Sequence, residues 1–397
     1  MALLTNEAVW AALSSQLTLP VLIQAEPVHQ RRDLFDYLAN NFPTQAKVIY
    51  AVGSGAPIDA GKLIAARNQV PLVIVPTALD STDLFSPTAL VADKDGERTR
   101  LVEEETGPAT EVIIDWDLIA SAPTERRGAG IVDLITVVTG LLDWRYAAQK
   151  GRNPRSQRFV PWAASVVSEL AKQAIKSAPA IGQGDPEALQ TLLDLLLTLV
   201  QLSNQLGHTR AYQGGEHHLA HILAATTQQP RAHAERVGPC LLFAASLHGQ
   251  EPTPLRDALQ HAGVRLDQIR PTDFNLVIDN LANHLAAHEF PYSILNDIEP
   301  GSEKVAGAIE AAGLTIEVET WLKPEETLAY ILADASAEAP HEEKTDEEST
   351  AETPAAADVE VEEAEIEATP GPEAAEAELE TAADTQPGDD TADLGNG

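Results

Sequence analysis

Two short runs of apolar residues, each closed by a glycine or a proline, constrain the fold of this chain most. Residues 47–52 (Lys-Val-Ile-Tyr-Ala-Val) end before a glycine, and residues 71–75 (Pro-Leu-Val-Ile-Val) end before a proline. Continuous Val and Ile runs are typical of strands that are buried on both faces. Helical apolar spacing over 32–41 and 59–67 alternates with these runs. This alternation predicts a parallel sheet covered by helices.

The remaining elements of the first third extend the same pattern. Residues 6–17 favour a helix and residues 20–24 a strand, so that helix, strand, helix and strand precede Gly53. A charged turn inside 89–111 predicts a hairpin, and the apolar residues of 111–115 predict another short strand.

After residue 123 the pattern becomes helical. About 335 residues exceed what one hydrophobic core usually supports, which favours two domains. We therefore predict an α/β N-terminal domain with a shortened Rossmann-like parallel sheet over 1–123, an all-α C-terminal domain over 124–335, and a disordered acidic tail over 336–397. Ligands of such proteins usually bind between the domains, at the carboxyl ends of the strands. The predicted helices of the second domain cover 130–148, 160–178, 186–206, 215–226, 235–248 and 273–288.

Charge and composition exclude several classes of protein. The chain has 397 residues and a formal net charge of −35, of which −20 lies in the 62 residues 336–397 (21 acids and one base). No basic surface is expected, which argues against nucleic-acid binding, and that acidic segment has too little apolar surface to fold. The single cysteine, Cys240, excludes an intrachain disulfide and a cysteine-based metal site. With no membrane span or signal peptide expected, we predict a soluble cytoplasmic protein and allow for a homo-oligomer.

Gly53-Ser54-Gly55 lies between a predicted strand and a predicted helix. Small residues there let backbone amides approach a phosphate, and the helix N-terminus adds partial positive charge. An ordinary tight turn explains these three residues equally well. A Walker-type phosphate loop is excluded, because Ala56 holds the required glycine position and Leu63 replaces the Ser or Thr that would bind magnesium.

Histidines cluster in the helical part. Five of the eleven lie between residues 208 and 233. His217 and His221 are four residues apart and share one face of a helix, whereas His218 projects roughly 100° away from His217. Imidazoles suit zinc, nickel or ferrous iron. A zincin protease is excluded because His218 stands where its glutamate is needed, and a solvated polar helix face remains an equal alternative.

Five ordered segments resemble the glycerol-1-phosphate dehydrogenase branch of the superfamily that also contains iron-containing alcohol dehydrogenases, glycerol dehydrogenases and dehydroquinate synthases. The Asp-Trp pair and the Glu-His-His block favour that branch. The segments are 51–62 with its Gly-Ser-Gly loop and Asp-x-x-Lys, 113–123, 130–145 with Val-Asp-Leu-Ile and Asp-Trp-Arg, 207–221 with Glu-His-His-Leu-Ala-His, and 233–238.

This resemblance implies a function and a site. The metal ligands would be Asp133, His217 and His233, and His221 would position them or relay protons. The cofactors implied are NAD or NADP and one divalent metal ion (zinc, nickel or iron). The substrate would be a phosphorylated triose or polyol, with dihydroxyacetone phosphate reduced to sn-glycerol-1-phosphate. The cofactor-binding residues implied are Gly53, Ser54, Gly55, Asp59, Thr77 and Ser81.

The chain departs from the family pattern in two places. The part before Gly53 lacks a strand–helix unit that family members have, so the cofactor half is expected to be shortened. The family also has an aspartate five residues after the threonine that corresponds to Thr77. Thr82 holds that position here and Asp83 follows it, so either Asp83 contacts the substrate through a one-residue shift or this contact is lost. Two alternatives therefore stay open, a noncatalytic descendant with impaired cofactor binding and a dehydroquinate synthase-like enzyme.

Overall fold

A computed structural model describes residues 1–15, 20–95, 98–227, 229, 231–288 and 290–315. The α/β part forms first, in the alternating order that the apolar runs predict. Its elements are β1 (Ala2–Leu4), α1 (Glu7–Leu13), β2 (Ile23–Ala25), α2 (Arg32–Asn40), β3 (Ile49–Gly53), α3 (Ala56–Asn68), β4 (Leu72–Pro76), β5 (Thr88–Asp95), β6 (Arg98–Glu105) and β7 (Glu111–Val112).

Five parallel strands form the main sheet, in the spatial order β2-β1-β3-β4-β7. The predicted order before Gly53 is wrong at its start, because β1 precedes the first helix. A three-residue strand is too short to show a periodicity, which is why the sequence did not indicate it. With β1, the elements before the glycine loop follow the βαβαβ order of a mononucleotide-binding half. That half is short because β1 and β2 have only three residues each.

Close packing of α3 against the sheet depends on Gly61. A Cβ atom at this position would lie 3.0 Å from the Cβ of Ala51 in β3 and 3.1 Å from Cδ1 of Leu72 in β4. The helix is buried over most of its length, and it follows the glycine loop directly. The backbone between β3 and α3 is therefore fixed at the carboxyl edge of the sheet.

A separate antiparallel hairpin joins β5 and β6, with Val91 opposite Val102, as the charged turn predicts. β5 packs against α3, and β6 packs against a helix of the second part that carries the clustered histidines. The strand predicted over 111–115 is shorter than expected, since only Glu111–Val112 pairs with β4.

The second part is helical, as predicted. Helix 273–288 is divided into two at Asn280, and helix 130–148 is divided at Thr136, whose hydroxyl donates to the carbonyl oxygen of Asp133 at 2.9 Å. Four of the described helices were not predicted, two short ones within 116–127 and two near 257 and 308. The helices are α4 (Trp116–Ser121), α5 (Thr124–Arg127), α6 (Ile131–Ile135), α7 (Val137–Gln149), α8 (Pro161–Gln183), α9 (Pro186–Leu206), α10 (Gly215–Thr227), α11 (His233–Leu247), α12 (Thr253–His261), α13 (Pro271–Asp279), α14 (Leu281–Ala287) and α15 (Glu303–Ala312).

Within the described ranges, no helix combines the length and the apolar character needed to span a bilayer. The predicted acidic tail, 336–397, lies outside the described residues, as does the end of the predicted helical domain. The domain boundary at residue 123 stays a prediction.

Candidate metal centre and cofactor cleft

Three side chains from separate helices meet at one point. Asp133 lies in the short helix α6, His217 in the first turn of α10, and His233 is the first residue of α11. One potential ligand atom from each lies within 4.8 Å of the other two. His233 Nε2 is 2.7 Å from Asp133 Oδ1, and His217 Nε2 is 3.6 Å from the same oxygen. The geometry thus brings together the three residues named as metal ligands.

The two oxygens of Asp133 have different partners. Oδ1 faces the two imidazoles, whereas Oδ2 accepts hydrogen bonds from the backbone N–H of Thr82 at 2.7 Å and from its hydroxyl at 2.8 Å. Asp133 and Thr82 are both buried. Thr82 begins a single 3-10 turn, Thr82–Leu84, in the segment that follows β4. The segment that follows the carboxyl end of β4 therefore contacts the Asp133 carboxylate.

Glu216 fixes the orientation of the His217 ring. Its Oε1 lies 2.9 Å from His217 Nδ1 and accepts the backbone N–H of Gly214 at 2.6 Å. His217 Nε2 is buried and has no hydrogen-bond partner among the described residues. A metal ligand typically donates its other ring N–H to a carboxylate in this manner. The buried, unpartnered Nε2 beside a carboxylate and a second imidazole fits a divalent cation such as zinc, nickel or iron.

Charge pairing dominates the electrostatics of this cluster. Burial alone would raise the pKa of Asp133, but the charges and hydrogen bonds of His233 and His217 outweigh it and hold that pKa far below its ordinary value. Burial alone would lower the pKa of His217, but the nearby carboxylates of Asp133 and Glu216 raise it to about 10. The Asp133 carboxylate is thus held in the ionised form that binds a cation.

His221 and His218 of α10 line the same cavity, and both rings lie near Phe290. His221 lines a cavity of about 810 Å³ together with His217, and burial lowers its pKa well below the ordinary value, so its ring is neutral. His218 is not part of the metal-ligand cluster, as its angular position predicts. Its ring stacks on Phe290 with 4.4 Å between ring centroids.

A second cavity, of about 980 Å³, opens at the glycine loop. Gly55 precedes α3 with a φ of +64°, and no atom lies within 4 Å of the position that its Cβ would take. Only glycine adopts such a backbone conformation without strain. Ser54 and Gly55 line this cavity, and His233 lies at its border. One cleft therefore connects the start of α3 with the cluster formed by Asp133, His217 and His233, which we call the metal-ligand cluster. Phosphates bind readily at the start of a helix.

The other residues named for the cofactor and substrate are distributed unevenly. Ser81 and Asp83 line the large cavity, and Asp83 also lines the cavity that contains His217 and His221. Gly53, Thr77 and Asp59 do not line either cavity. Asp59 is buried, and its two oxygens accept bonds from the backbone N–H of Leu90 at 3.0 Å and from Gln30 at 3.3 Å. Its contact with a cofactor stays a prediction, as do those of Gly53 and Thr77.

Asp143 was named only as part of a motif, yet it connects four elements. From α7, its Oδ2 accepts the backbone N–H of Gly215, the first residue of α10, at 2.7 Å. Its Oδ1 accepts the N–H of Ile294 at 2.7 Å and lies 2.9 Å from Nε2 of His248, at the end of α11. It is fully buried. Sequence reasoning missed Asp143, Glu216 and Thr82 as parts of the site, although each lies inside or beside a quoted motif.

Comparisons with known proteins find relatives in sequence and in fold. Residues 5–123 match the sequence model of the iron-containing alcohol dehydrogenase family. The chain is 31% identical over 217 residues to a glycerol-1-phosphate dehydrogenase [NAD(P)+] of Methanococcoides burtonii, an alignment that covers 55% of this chain and 58% of that protein. It is 29% identical over 215 residues to the corresponding protein of Thermococcus sibiricus, with 54% and 59% covered. The chain thus spans less than two thirds of the length of these relatives.

Solved structures show the same fold. A probable glycerol dehydrogenase from Sinorhizobium meliloti 1021 superimposes with a TM-score of 0.58 at 16% identity, over 78% of this chain and 89% of that chain. At this identity the likeness concerns the fold alone. It confirms an α/β region with a parallel sheet followed by a helical region. The chain thus resembles the glycerol-1-phosphate dehydrogenase branch of the iron-containing alcohol dehydrogenase superfamily in sequence, and it has that superfamily's fold, as its five motif segments predict.

Proposed function

We propose that this chain is a metal-dependent, NAD(P)H-linked oxidoreductase that reduces a small carbonyl compound, and that its substrate is dihydroxyacetone phosphate, reduced to sn-glycerol-1-phosphate. One observation carries the proposal. Asp133, His217 and His233 meet within 4.8 Å at the border of a cleft that also contains the glycine loop between β3 and α3. Such a cleft can align a dinucleotide with a metal-bound substrate.

Asp133, His217 and His233 would hold the divalent metal ion, which would polarise the substrate carbonyl while the nicotinamide delivers hydride. Glu216 Oε1 lies against His217 Nδ1 and would accept its proton, while a metal ion at Nε2 would displace the second proton that the raised pKa of His217 implies. His221 is neutral and lines the same cavity as His217. We assign it a proton relay, in which one ring nitrogen would give its proton to the substrate oxygen while the other ring nitrogen takes up a proton from water, because a neutral imidazole has one donor and one acceptor nitrogen.

The phosphorylated substrate is supported by the function of the similar glycerol-1-phosphate dehydrogenases and by arginine side chains in the cleft. Acidic and basic side chains both line the larger cavity, and the basic ones include Arg126, Arg231 and Arg236. Guanidinium groups suit phosphate recognition. Asp83 lies between the two cavities, which favours the one-residue shift over the loss of the substrate contact.

The noncatalytic alternative depended on a shortened cofactor half. The βαβαβ order before the glycine loop weakens that argument, and the preserved metal-ligand cluster favours an enzyme. The dehydroquinate synthase-like alternative is disfavoured by Asp133, because those enzymes usually have glutamate at the corresponding position.

Ligand binding and reduction test this proposal directly. Protein loaded with zinc or nickel should bind NADH or NADPH saturably and should oxidise it when dihydroxyacetone phosphate is added. His217→Ala should lose the metal and the activity while the fold persists, as judged by circular dichroism. His261→Ala, which alters an exposed histidine of α12, serves as the matched control and should keep both. No saturable nucleotide binding, or unchanged metal content in His217→Ala, would contradict the proposal.

A further inference from the structure

Thr82 stands where the family pattern has an aspartate, and its contacts suggest a role of a different kind. Its backbone N–H and its hydroxyl both donate to Asp133 Oδ2, at 2.7 and 2.8 Å. Thr82 is 2% exposed and Asp133 is fully buried. Both bonds therefore form away from solvent, where a hydrogen bond to a charged group is strong.

The turn that presents Thr82 is itself fixed from two sides. The Ser81 hydroxyl accepts the backbone N–H of Asp83 at 3.2 Å. The buried Lys62 ammonium donates to Ser86 Oγ at 3.0 Å and to the carbonyl oxygen of Thr88 at 2.8 Å. The segment that carries Thr82 is thus attached to α3 and to the start of β5. Thr82 is held against Asp133 by the surrounding fold rather than by its own bonds alone.

We propose that Thr82 is a positioning residue that restricts Asp133 to metal coordination through Oδ1 alone. This inference rests on the metal site of the proposed function. A carboxylate whose second oxygen already accepts two hydrogen bonds cannot turn that oxygen towards the metal without breaking them. Asp133 then contributes one ligand atom, like each imidazole, and the three protein ligands leave a coordination position for the substrate oxygen, the arrangement that is typical of catalytic zinc sites.

Two effects of losing the Thr82 hydroxyl oppose each other. The carboxylate would keep more electron density on its oxygens and bind a cation more strongly, but it would also lose its fixed orientation. Partners of this kind usually change metal affinity by about 10- to 100-fold in favour of the intact arrangement. Because the Thr82 backbone N–H would remain, we expect the lower end of that range.

Thr82→Val, which removes the hydroxyl and keeps the shape, is the principal variant, and Thr82→Ser, which keeps the hydroxyl, is its conservative partner. Thr139→Val is the matched control, because Thr139 is equally buried and its hydroxyl donates only to the carbonyl oxygen of Thr136, at 3.1 Å. Thr82→Ala removes the same hydroxyl with less bulk and replaces Thr82→Val if that protein does not fold.

Zinc affinity, measured by competition with a chelator, should fall about 10-fold in Thr82→Val and stay near the unaltered value in Thr82→Ser and Thr139→Val. Cobalt-loaded protein gives a second readout that does not depend on activity. If Asp133 is freed to bind through both oxygens, the coordination number rises and the visible d–d absorption of Thr82→Val becomes weaker than that of the unaltered protein. A purely structural role for Thr82 would lower the unfolding temperature and leave the spectrum unchanged.

The outcomes separate this inference from the proposed function. Equal zinc affinity and equal cobalt spectra in the unaltered protein and Thr82→Val would overturn the inference and leave the metal site standing. A change of the same size in Thr139→Val would also overturn it. If the unaltered protein binds zinc no better than His217→Ala does, both the metal site and the inference are wrong.

Discussion

Asp143→Asn should destabilise the protein severely, although Asp143 lies in neither the metal-ligand cluster nor the glycine loop. The buried carboxylate accepts three hydrogen bonds, from Gly215 N–H, Ile294 N–H and His248 Nε2, at 2.7, 2.7 and 2.9 Å. It therefore connects α7 with the start of α10, the end of α11 and the 3-10 turn Ile294–Asp297. The amide of the Asp143→Asn variant has the same shape as the carboxylate, but it carries no charge and has only one oxygen that can accept hydrogen bonds.

The expected loss follows from these contacts. A hydrogen bond to a charged group contributes roughly 1.5–3 kcal/mol, and a bond between neutral groups contributes roughly 0.5–1.5 kcal/mol. Each of the three bonds is therefore weakened by about 1 kcal/mol when the carboxylate becomes a neutral amide, which gives about 3 kcal/mol in total. The amide NH₂ must in addition face at least one N–H donor, which leaves a buried donor unpaired at a cost of about 1–3 kcal/mol. The variant also affects the buried Arg210. Burial lowers the pKa of Arg210, and the charges of Asp143 and Glu216 partly offset this effect. In Asp143→Asn, Arg210 loses one of these two carboxylates. We expect a total of about 4–6 kcal/mol, a large part of the roughly 5–15 kcal/mol that stabilises a typical protein.

Urea unfolding, followed by tryptophan fluorescence in the presence of a chelator, measures this loss without any contribution from bound metal. Asp185→Asn is the matched control. Asp185 is exposed and its side chain accepts the N–H of Ala188 at 2.8 Å, at the start of α9. Asn caps a helix about as well as Asp, so the control should lose less than about 1 kcal/mol. A loss of that small size in Asp143→Asn would refute the reasoning.

Two further perturbations test the loop and the electrostatics. Gly55→Ala should weaken NAD(P)H binding and cost about 1–3 kcal/mol of stability, because the φ of +64° at this position strains any other residue. The control Gly307→Ala, at an unstrained and open position of α15, should be neutral or stabilising. Equal effects of the two substitutions would contradict the strain argument. Burial, and to a lesser extent the charge of Asp83, raises the pKa of Asp59 from 3.8 to about 7. The folded state therefore holds this proton more tightly than the unfolded state. The resulting stability is fully present below about pH 4 and is lost as the pH rises to about 7. Asp59→Asn lacks this dependence. Urea unfolding at pH 5 and pH 8 should therefore show the stability of this variant rising relative to the unaltered protein by about 3 kcal/mol between the two pH values, and parallel pH profiles would disprove the assignment.

Much of the fold could be predicted from the sequence because the elements that carry it have clear local patterns. The apolar runs that became β3 and β4 are bounded by Gly and Pro, and α9 begins and ends at the predicted residues. β1 could not be found in this way, since three residues show no period and its pairing with β2 and β3 depends on distant strands. The division of 273–288 at Asn280 likewise depends on packing rather than on apolar spacing.

The metal-ligand cluster was accessible from the sequence for a different reason. Asp133, His217 and His233 were named through motifs, and spacing along one helix could relate His217 only to His221. The structure adds the contacts between elements that no spacing encodes. Glu216 is adjacent to His217 in sequence, but its bond to His217 Nδ1 depends on the backbone around Gly214.

The departure at residue 82 shows how a one-residue shift can exchange two roles. In a turn as tight as Thr82–Leu84, consecutive side chains leave the backbone in different directions, so one side chain reaches the buried Asp133 while the next lies between the two cavities. An aspartate at position 82 would place a second carboxylate against Asp133 Oδ2, and two like charges in a buried site repel strongly. Threonine removes that repulsion and supplies a donor in its place. Asp83 keeps a carboxylate beside both cavities, so under the proposed one-residue shift the charge of the family pattern would be retained there while Thr82 serves as a neutral partner of Asp133.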